Sequence, residues 1–316
     1  MKNIFFIFVL CSLQVFGSYL IVDDESLASA TASDGTVQLN PISKNFTSDL
    51  QITQTNQTVE IPIYVKTDSS DAIYMNLDSI SPLKQGTDEI ITTMIFRNSS
   101  NQETTINANS DFTIHSGSTN DGTSKVGDII IKVANVPDLA TYGTYNLNPD
   151  INAKVKIGSS ESYSSTNTLT STASVAKVAM VNIGDSTSVS DYTTGVDFKD
   201  STIGFGNFQL NQINTITKNV FVKSNTNGDI ALSFDTTQKL KSTIDNSYQI
   251  GMSYGYKTTS QSDFSSISNN TPFTIYSDKN DGTSKIGEMR FSTEALTGSL
   301  IAGGYSASIA VTVTAQ

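Results

Sequence analysis

The chain reads as all-β, built from two tandem sandwich domains, and three observations predict this. First, apolar residues alternate with polar ones over short runs, as in Val59, Ile61, Ile63, Val65 and again in Ile309, Val311, Val313. A period of two sets one face of each run in a core and the other in solvent. Second, these runs are rich in β-branched residues and divided by turn clusters such as Ser69-Ser70-Asp71, Asn120-Asp121-Gly122 and Asn227-Gly228, the pattern of an antiparallel sandwich. No long segment keeps a helical period; only Leu240–Ile244 and Glu294–Leu300 have room for a single helical turn. Third, Phe112–Lys125 (FTIHSGSTNDGTSK) returns as Phe273–Lys285 (FTIYSDKNDGTSK), about 160 residues later. That period is too long for a solenoid unit and suits one whole domain.

Taken in chain order, residues 1–17 form a signal peptide. Lys2 is the positive start, Ile4–Leu13 the apolar stretch, and Val15-Phe16-Gly17 ends on a small residue. Lipidation at Cys11 is the competing reading, disfavoured by the bulky Leu10 before it. The mature chain is expected to begin at Ser18, to be exported and to carry no membrane helix. The first sandwich is expected over 18–158 and the second over 177–316. Between them, 159–176 starts as a Ser-rich linker and ends with Leu169, Ser171, Ala173 and Val175 alternating with Thr170, Thr172 and Ser174. That second half suits a strand with a small-residue face.

Composition excludes several functions. Cys11 is the only cysteine and His115 the only histidine, so thiol chemistry, a His-based triad and a multi-histidine metal site are not expected. His115 reads as a strand residue beside a turn. The formal charge of −11 argues against nucleic acid. Asp278-x-Asn280-Asp281-Gly282 has the wrong oxygen spacing for an EF-hand and reads as a hairpin turn. Four Asn-x-Ser/Thr matches, at Asn45, Asn56, Asn98 and Asn269, arise readily in so Asn-, Ser- and Thr-rich a chain. No catalytic, metal or cofactor residues are expected. The closing run, Tyr305, Ala307, Ile309, Val311 and Val313, alternates to the end, which suggests an edge suited to strand addition.

The second half resembles a chaperone–usher fimbrial subunit of the class 5 (alpha) type. The resemblance is carried by Thr172-Ala173-Ser174-Val175 followed by Val178–Asp185, by Val222–Tyr254, and by Gly303-Gly304-Tyr305-Ser306 leading into Ile309–Val313. It covers about Leu169–Gln316; the first half shares it through the duplication. Tyr254 stands where the family tends to have Trp, and the tandem arrangement is a departure. The resemblance implies pilin-like, immunoglobulin-like sandwiches that lack one strand. A periplasmic chaperone fills the groove, pairing with the last strand, here Tyr305–Val313. At an outer-membrane usher, the N-terminal extension of the next subunit replaces it. Leu169, Ser171, Ala173 and Val175 are then the donor-strand candidates, and they are expected to complete the first sandwich within the same chain. The expectation is a two-domain tip or minor subunit at the cell surface, contributing to adhesion, with other fimbrial subunits and a host or surface receptor as partners. Tyr19–Val22, which aligns with Ala179–Asn182, would make it a tandem shaft subunit if it were itself a donor. The alternatives are a surface-layer or matrix protein with two complete sandwiches, and a carbohydrate-binding module or hydrolase. The absence of Trp and of a catalytic constellation weakens the last of these.

Overall fold

Every regular element of the structure, a computed structural model, is a strand. It describes residues 18–33, 35–52, 54–158, 162–163, 165–185, 188–298 and 300–316. The signal-peptide reading of 1–17 lies outside the described residues. The first half contributes β1 (Leu20–Asp23), β2 (Val37–Leu39), β3 (Ile42–Ser43), β4 (Thr55–Thr67), β5 (Ala72–Leu77), β6 (Leu83–Gln85) and β7 (Asp88–Ile90). It continues with β8 (Thr92–Asn98), β9 (Glu103–Thr105), β10 (Asp111–Ser116), β11 (Asn120–Asn135), β12 (Gly143–Leu147) and β13 (Ile151–Ile157). Then come β14 (Ser165–Thr170) and β15 (Thr172–Val175). The second half holds β16 (Val178–Gly184), β17 (Gly195–Lys199), β18 (Thr215–Ser224), β19 (Asp229–Phe234), β20 (Leu240–Ser242) and β21 (Gln249–Ile250). It ends with β22 (Met252–Thr258), β23 (Ser265–Ser266), β24 (Phe273–Ser277), β25 (Asn280–Thr293), β26 (Tyr305–Ser306) and β27 (Val311–Ala315).

Two sandwiches result, each with its own core. In the first, the sheet β2-β1-β4-β11-β8-β9 and the sheet β10-β5-β13-β14-β3 enclose one cluster, closed at one side by β15-β12-β6-β7. The alternating residues Val59, Ile61, Ile63 and Val65 of β4 are all buried in it, as a period of two requires. In the second, β17-β16-β18-β25-β22-β23 packs on β24-β19-β27 and β21-β20-β26 around a core of more aromatic residues. Phe234 lies between Tyr254 and Phe273 at centroid distances of 6.3 and 6.1 Å, and Phe291 meets the Tyr254 ring edge-on.

The duplication is visible strand by strand. The longest pair, β4 with β11, recurs as β18 with β25, and in both a glycine meets the equivalent apolar residue: Gly127 opposite Ile63, Gly287 opposite Val220. The Asn-Asp-Gly motif corrects an expectation. It forms no hairpin turn but a bulge inside the long strand, where the register shifts between Asp121 and Lys125 and between Phe221 and Lys223. Asn120 and Asn280 each accept from the glycine amide two residues on, while Asp121 and Asp281 accept from the following threonines. Gly122 and Gly282 sit at φ +79° and +81°, and a Cβ at either would strike a neighbouring side chain. The bulge carbonyls accept from Leu27 and Val189, pinning the loop after the first strand in each copy.

Leu240–Ser242 is a strand rather than a helical turn, because Leu240 and Ser242 both point inward while the strand pairs with β21 and β26. Glu294–Leu300 forms no helix among its described residues. Leu20 pairs with Thr67 as Ala179 pairs with Ser224, so Leu20, not Tyr19, is the counterpart of Ala179. His115 lies on β10, its Nε2 2.9 Å from the Ser118 carbonyl oxygen, as a strand residue beside a turn.

The sandwiches are joined by only Ala176 and Lys177, between the end of β15 and the start of β16. Asn225 staples this joint: its side chain donates to the Ala176 carbonyl and accepts from the Val178 amide, while its own carbonyl accepts from the Tyr142 amide. Around it, Lys223 pairs with Asp138 at 2.6 Å and Lys279 with Asp88 at 2.6 Å.

Candidate functional site

The site is a groove that exists twice, filled in the first sandwich and open in the second. In the first, β14 runs antiparallel to β13, with Leu169 opposite Ile151 and Ser165 opposite Val155, and parallel to β3. β15 then runs antiparallel to β12, with Ala173 opposite Tyr145. The opposite wall is the segment from Ile42 to Ile52. Its Lys44, Phe46 and Leu50 amides donate to the carbonyls of Thr170, Thr172 and Ser174, and the Ala176 amide returns to the Leu50 carbonyl. The inserted strand is therefore hydrogen-bonded along both edges, so few of its main-chain groups are left unpaired on entering the core.

The predicted residues Leu169, Ser171, Ala173 and Val175 all face inward and are buried. The strand begins four residues earlier than the apolar alternation suggested, at Ser165. The size pattern has a local cause. Ala173 lies against Tyr145, a fully buried ring whose hydroxyl donates to the Thr141 carbonyl, so a larger residue would clash. Ser171 Oγ has no hydrogen-bond partner, which marks that position as one of size rather than polarity.

The second sandwich has the same walls without the insert. By the pairing of β13 with β5 and of β27 with β19, Ile151, Ala153 and Val155 correspond to Ile309, Val311 and Val313. Tyr305 repeats Tyr145 and donates its hydroxyl to the Ile301 carbonyl, again four residues back. The single closing strand expected over Tyr305–Val313 is broken, since β26 and β27 belong to different sheets. Tyr305 and Ala307 pack on the small cluster of Leu240, Ile250 and Leu296, whereas Ile309, Val311 and Val313 pack on the main core, and all five are only half-buried. Among the described residues, β19 pairs with one edge of β27 and no strand pairs with the other. A groove of about 1430 Å³ runs along 301–311 and reaches β27 at Val311, walled by Phe205, Phe208, Phe234, Leu240, Met252 and Phe291. Beyond Val311, β17 lies against β27 without pairing to it.

The segment from Ile203 to Ile213 holds the same place in chain order, between β17 and β18, as Ile42–Ile52 does between β2 and β4 in the first sandwich, although Leu210 bridges to Leu296 where Leu50 bridges to Val175. Ile42, Leu50 and Ile52 are buried there, whereas Leu210 and Ile213 are each 64% exposed. This second wall is what sequence reading missed. Its apolar residues, Ile203, Phe205, Phe208, Leu210 and Ile213, follow no period of two, so only their number within a Gly- and Asn-rich loop hinted at burial.

One charged group reaches the filled groove from outside. Asp88 accepts from Thr141 and from Lys279 of the second sandwich, and lies 3.4 Å from the Tyr145 hydroxyl. Burial would raise the Asp88 pKa, but Lys279 and Thr141 outweigh it and hold the carboxyl at about 2. Burial and the Asp88 charge in turn push the Tyr145 phenol well above its ordinary value, so the ring stays neutral in the core. Among the described residues no group of three His, Cys, Asp or Glu side chains is placed to hold a metal ion, and no helix is long and apolar enough to cross a membrane.

No protein-family model and no curated protein matches the sequence. Solved structures do match, at low identity. One is a chain of the CsuC–CsuE chaperone–tip adhesion subunit pre-assembly complex of archaic chaperone-usher Csu pili from Acinetobacter baumannii: 12% identity, 86% of this chain and 97% of that one, TM-score 0.46. CfaE, the adhesive subunit of CFA/I fimbria of enterotoxigenic Escherichia coli, matches at 13% identity, 87% and 93% coverage, TM-score 0.35. The CupB6 tip adhesin of Pseudomonas aeruginosa matches at 11% identity, 85% and 89% coverage, TM-score 0.34. Each of these three likenesses spans both sandwiches, at 11–13% identity.

Proposed function

We propose that the protein is a fimbrial subunit assembled by donor-strand complementation, sitting at the tip or as a minor subunit and contributing to adhesion. One observation carries this reading: two copies of one groove, one occupied by the chain's own strand and one open along 301–311, up to the start of an unpaired edge of β27. The open groove takes a strand of the same kind as Ser165–Val175, supplied first by a periplasmic chaperone and then, at an outer-membrane usher, by the next subunit. Main-chain bonds to β27 supply affinity, and each large aliphatic side chain entering the groove adds about 1.5–3 kcal/mol. The pairing of the described residues supports placement at an end. Its donor-like strand is spent on the first sandwich, and β1 is paired on both edges, with β2 and β4. The domains are then 18–176, including the inserted strand, and 177–316. The route is export through the periplasm to the cell surface, and the first sandwich is the part that meets a receptor.

The test copies the first sandwich onto the second. Gln316 corresponds to Gly158, so the sequence Ser159–Val175 is appended after Gln316. The expected result is a second sandwich stabilised by about 3 kcal/mol, or roughly 10 °C in melting temperature. An appended strand with its Leu169 equivalent changed to Asp abolishes the gain. No gain from the unmodified strand would leave two self-sufficient sandwiches, as in a matrix protein, and the proposal would fail.

A further inference from the structure

A strand entering an alternating groove has a register problem. A slip by one residue turns every side chain to the wrong face, but a slip by two restores the pattern. In the first sandwich the insert is tied covalently to β13, and pairing stops with Ser165 opposite Val155, leaving Ile157 beyond it. An incoming strand in the second sandwich carries no such tether. On β27, the residues opposite Ile230, Leu232 and Phe234, namely Ala315, Val313 and Val311, turn their amides and carbonyls towards the free edge, since Gln316 and Ala310 bond to the β19 side. Ala315 is the counterpart of Ile157. Its edge carbonyl is already taken: Lys177 Nζ donates to it at 3.2 Å, with the ammonium 4.1 Å from the centre of the Tyr142 ring.

We propose that Lys177 is a positioning residue that sets the register of the incoming strand by closing the junction end of the β27 edge at Ala315. This rests on the reading of the groove as a strand acceptor. The allowed register then places the strand's first paired residue opposite Val313, matching Ser165 opposite Val155 in the first sandwich. A slip by two towards the junction must pull the ammonium off the Ala315 carbonyl and away from the Tyr142 ring. The inserted strand runs antiparallel to β27, so its leading end abuts Lys177 and Tyr142. The same side chain that caps the β27 edge thus touches the first sandwich.

Cysteine trapping separates the registers. Thr168 lies opposite Asn152 in the first sandwich, and Asn152 corresponds to Ala310. A synthetic peptide of sequence Ser165–Val175 carrying Thr168→Cys is offered to the full chain, with Cys11→Ser and either Ala310→Cys or Thr312→Cys. Both chain positions are exposed, so neither disturbs the core. Disulfide formation at Ala310→Cys reports the proposed register and at Thr312→Cys the slipped one. With Lys177 present, the first is expected to exceed the second by about tenfold or more, the factor one hydrogen bond to a charged group supplies. In Lys177→Met and Lys177→Gln the ratio falls towards one while total trapping persists; Lys177→Arg keeps it. A ratio that ignores Lys177 overturns this inference alone, and so does a parent chain trapped mainly at Thr312→Cys. No peptide trapped at either position counts instead against the groove as an acceptor.

Discussion

Val155 and Val313 hold the same place in two copies of one sandwich, yet the first is fully buried and the second half-exposed. The strands around them are alike: β5 and β19 pair with them in the same register, and a tyrosine hydroxyl bonds four residues back in both copies. The difference is the segment Ser165–Val175, which lies over one copy only. Burial in this fold is therefore decided by which neighbour a strand has, more than by what the strand is. A strand that closes one sandwich is the same kind of object that the other can take from outside.

The comparison breaks most sharply at Leu169. Leu169→Asp puts a carboxylate into the core beside Ile151 and is expected to cost the first sandwich roughly 4 kcal/mol, enough to separate its urea transition from that of the second. Equal loss in both sandwiches would show that the inserted strand supports the whole molecule and not one core. Next in size is the matched pair Val155→Ala and Val313→Ala. Removing the same atoms is expected to cost about 2 kcal/mol in the buried copy and under about 1 kcal/mol in the half-exposed one. Similar values would mean that the second groove is already closed in solution.

The smallest effect concerns the junction. Asp88, held at about 2 from an ordinary 3.8, is a carboxyl whose folded pKa is depressed. Its contribution is fully present above the ordinary value and is lost as pH falls from there through about 2. Asp88→Asn should flatten the acid-side fall in docking of the two sandwiches, followed by a donor–acceptor dye pair, over that window. Because the contact is part-exposed to water, the change is expected to be modest and weakened further by salt.

Much of this was legible early. The period-two runs of β4, β5 and β13 needed no partner to be recognised, because alternation is a local property. The donor-like face Leu169, Ser171, Ala173, Val175 was equally plain, although its first four residues, Ser165–Thr168, carry too little apolar signal to read as strand. The second wall of the groove was not legible. Ile42–Ile52 bonds to a strand distant in sequence, Asn211 in Ile203–Ile213 bonds to the distant Leu296, and neither segment has regular spacing of its own. The Asn-Asp-Gly motif marks a special backbone site in the sequence, but its shape, a bulge and not a hairpin turn, is set by the strand beside it. A glycine at positive φ serves a turn or a bulge equally, and only the neighbouring strand distinguishes them.

Residue order alone establishes a duplicated all-β chain with one strand-like segment between the copies. These are consequences of local periodicity and of repetition, and both are written residue by residue. Only the tertiary structure decided where that segment goes. It lies in the first sandwich, bonded on both edges, and leaves β27 with a free edge closed at one end by Lys177. Strand pairing joins main-chain groups that every residue possesses, so a sequence shows that a strand wants a neighbour without showing which neighbour it has.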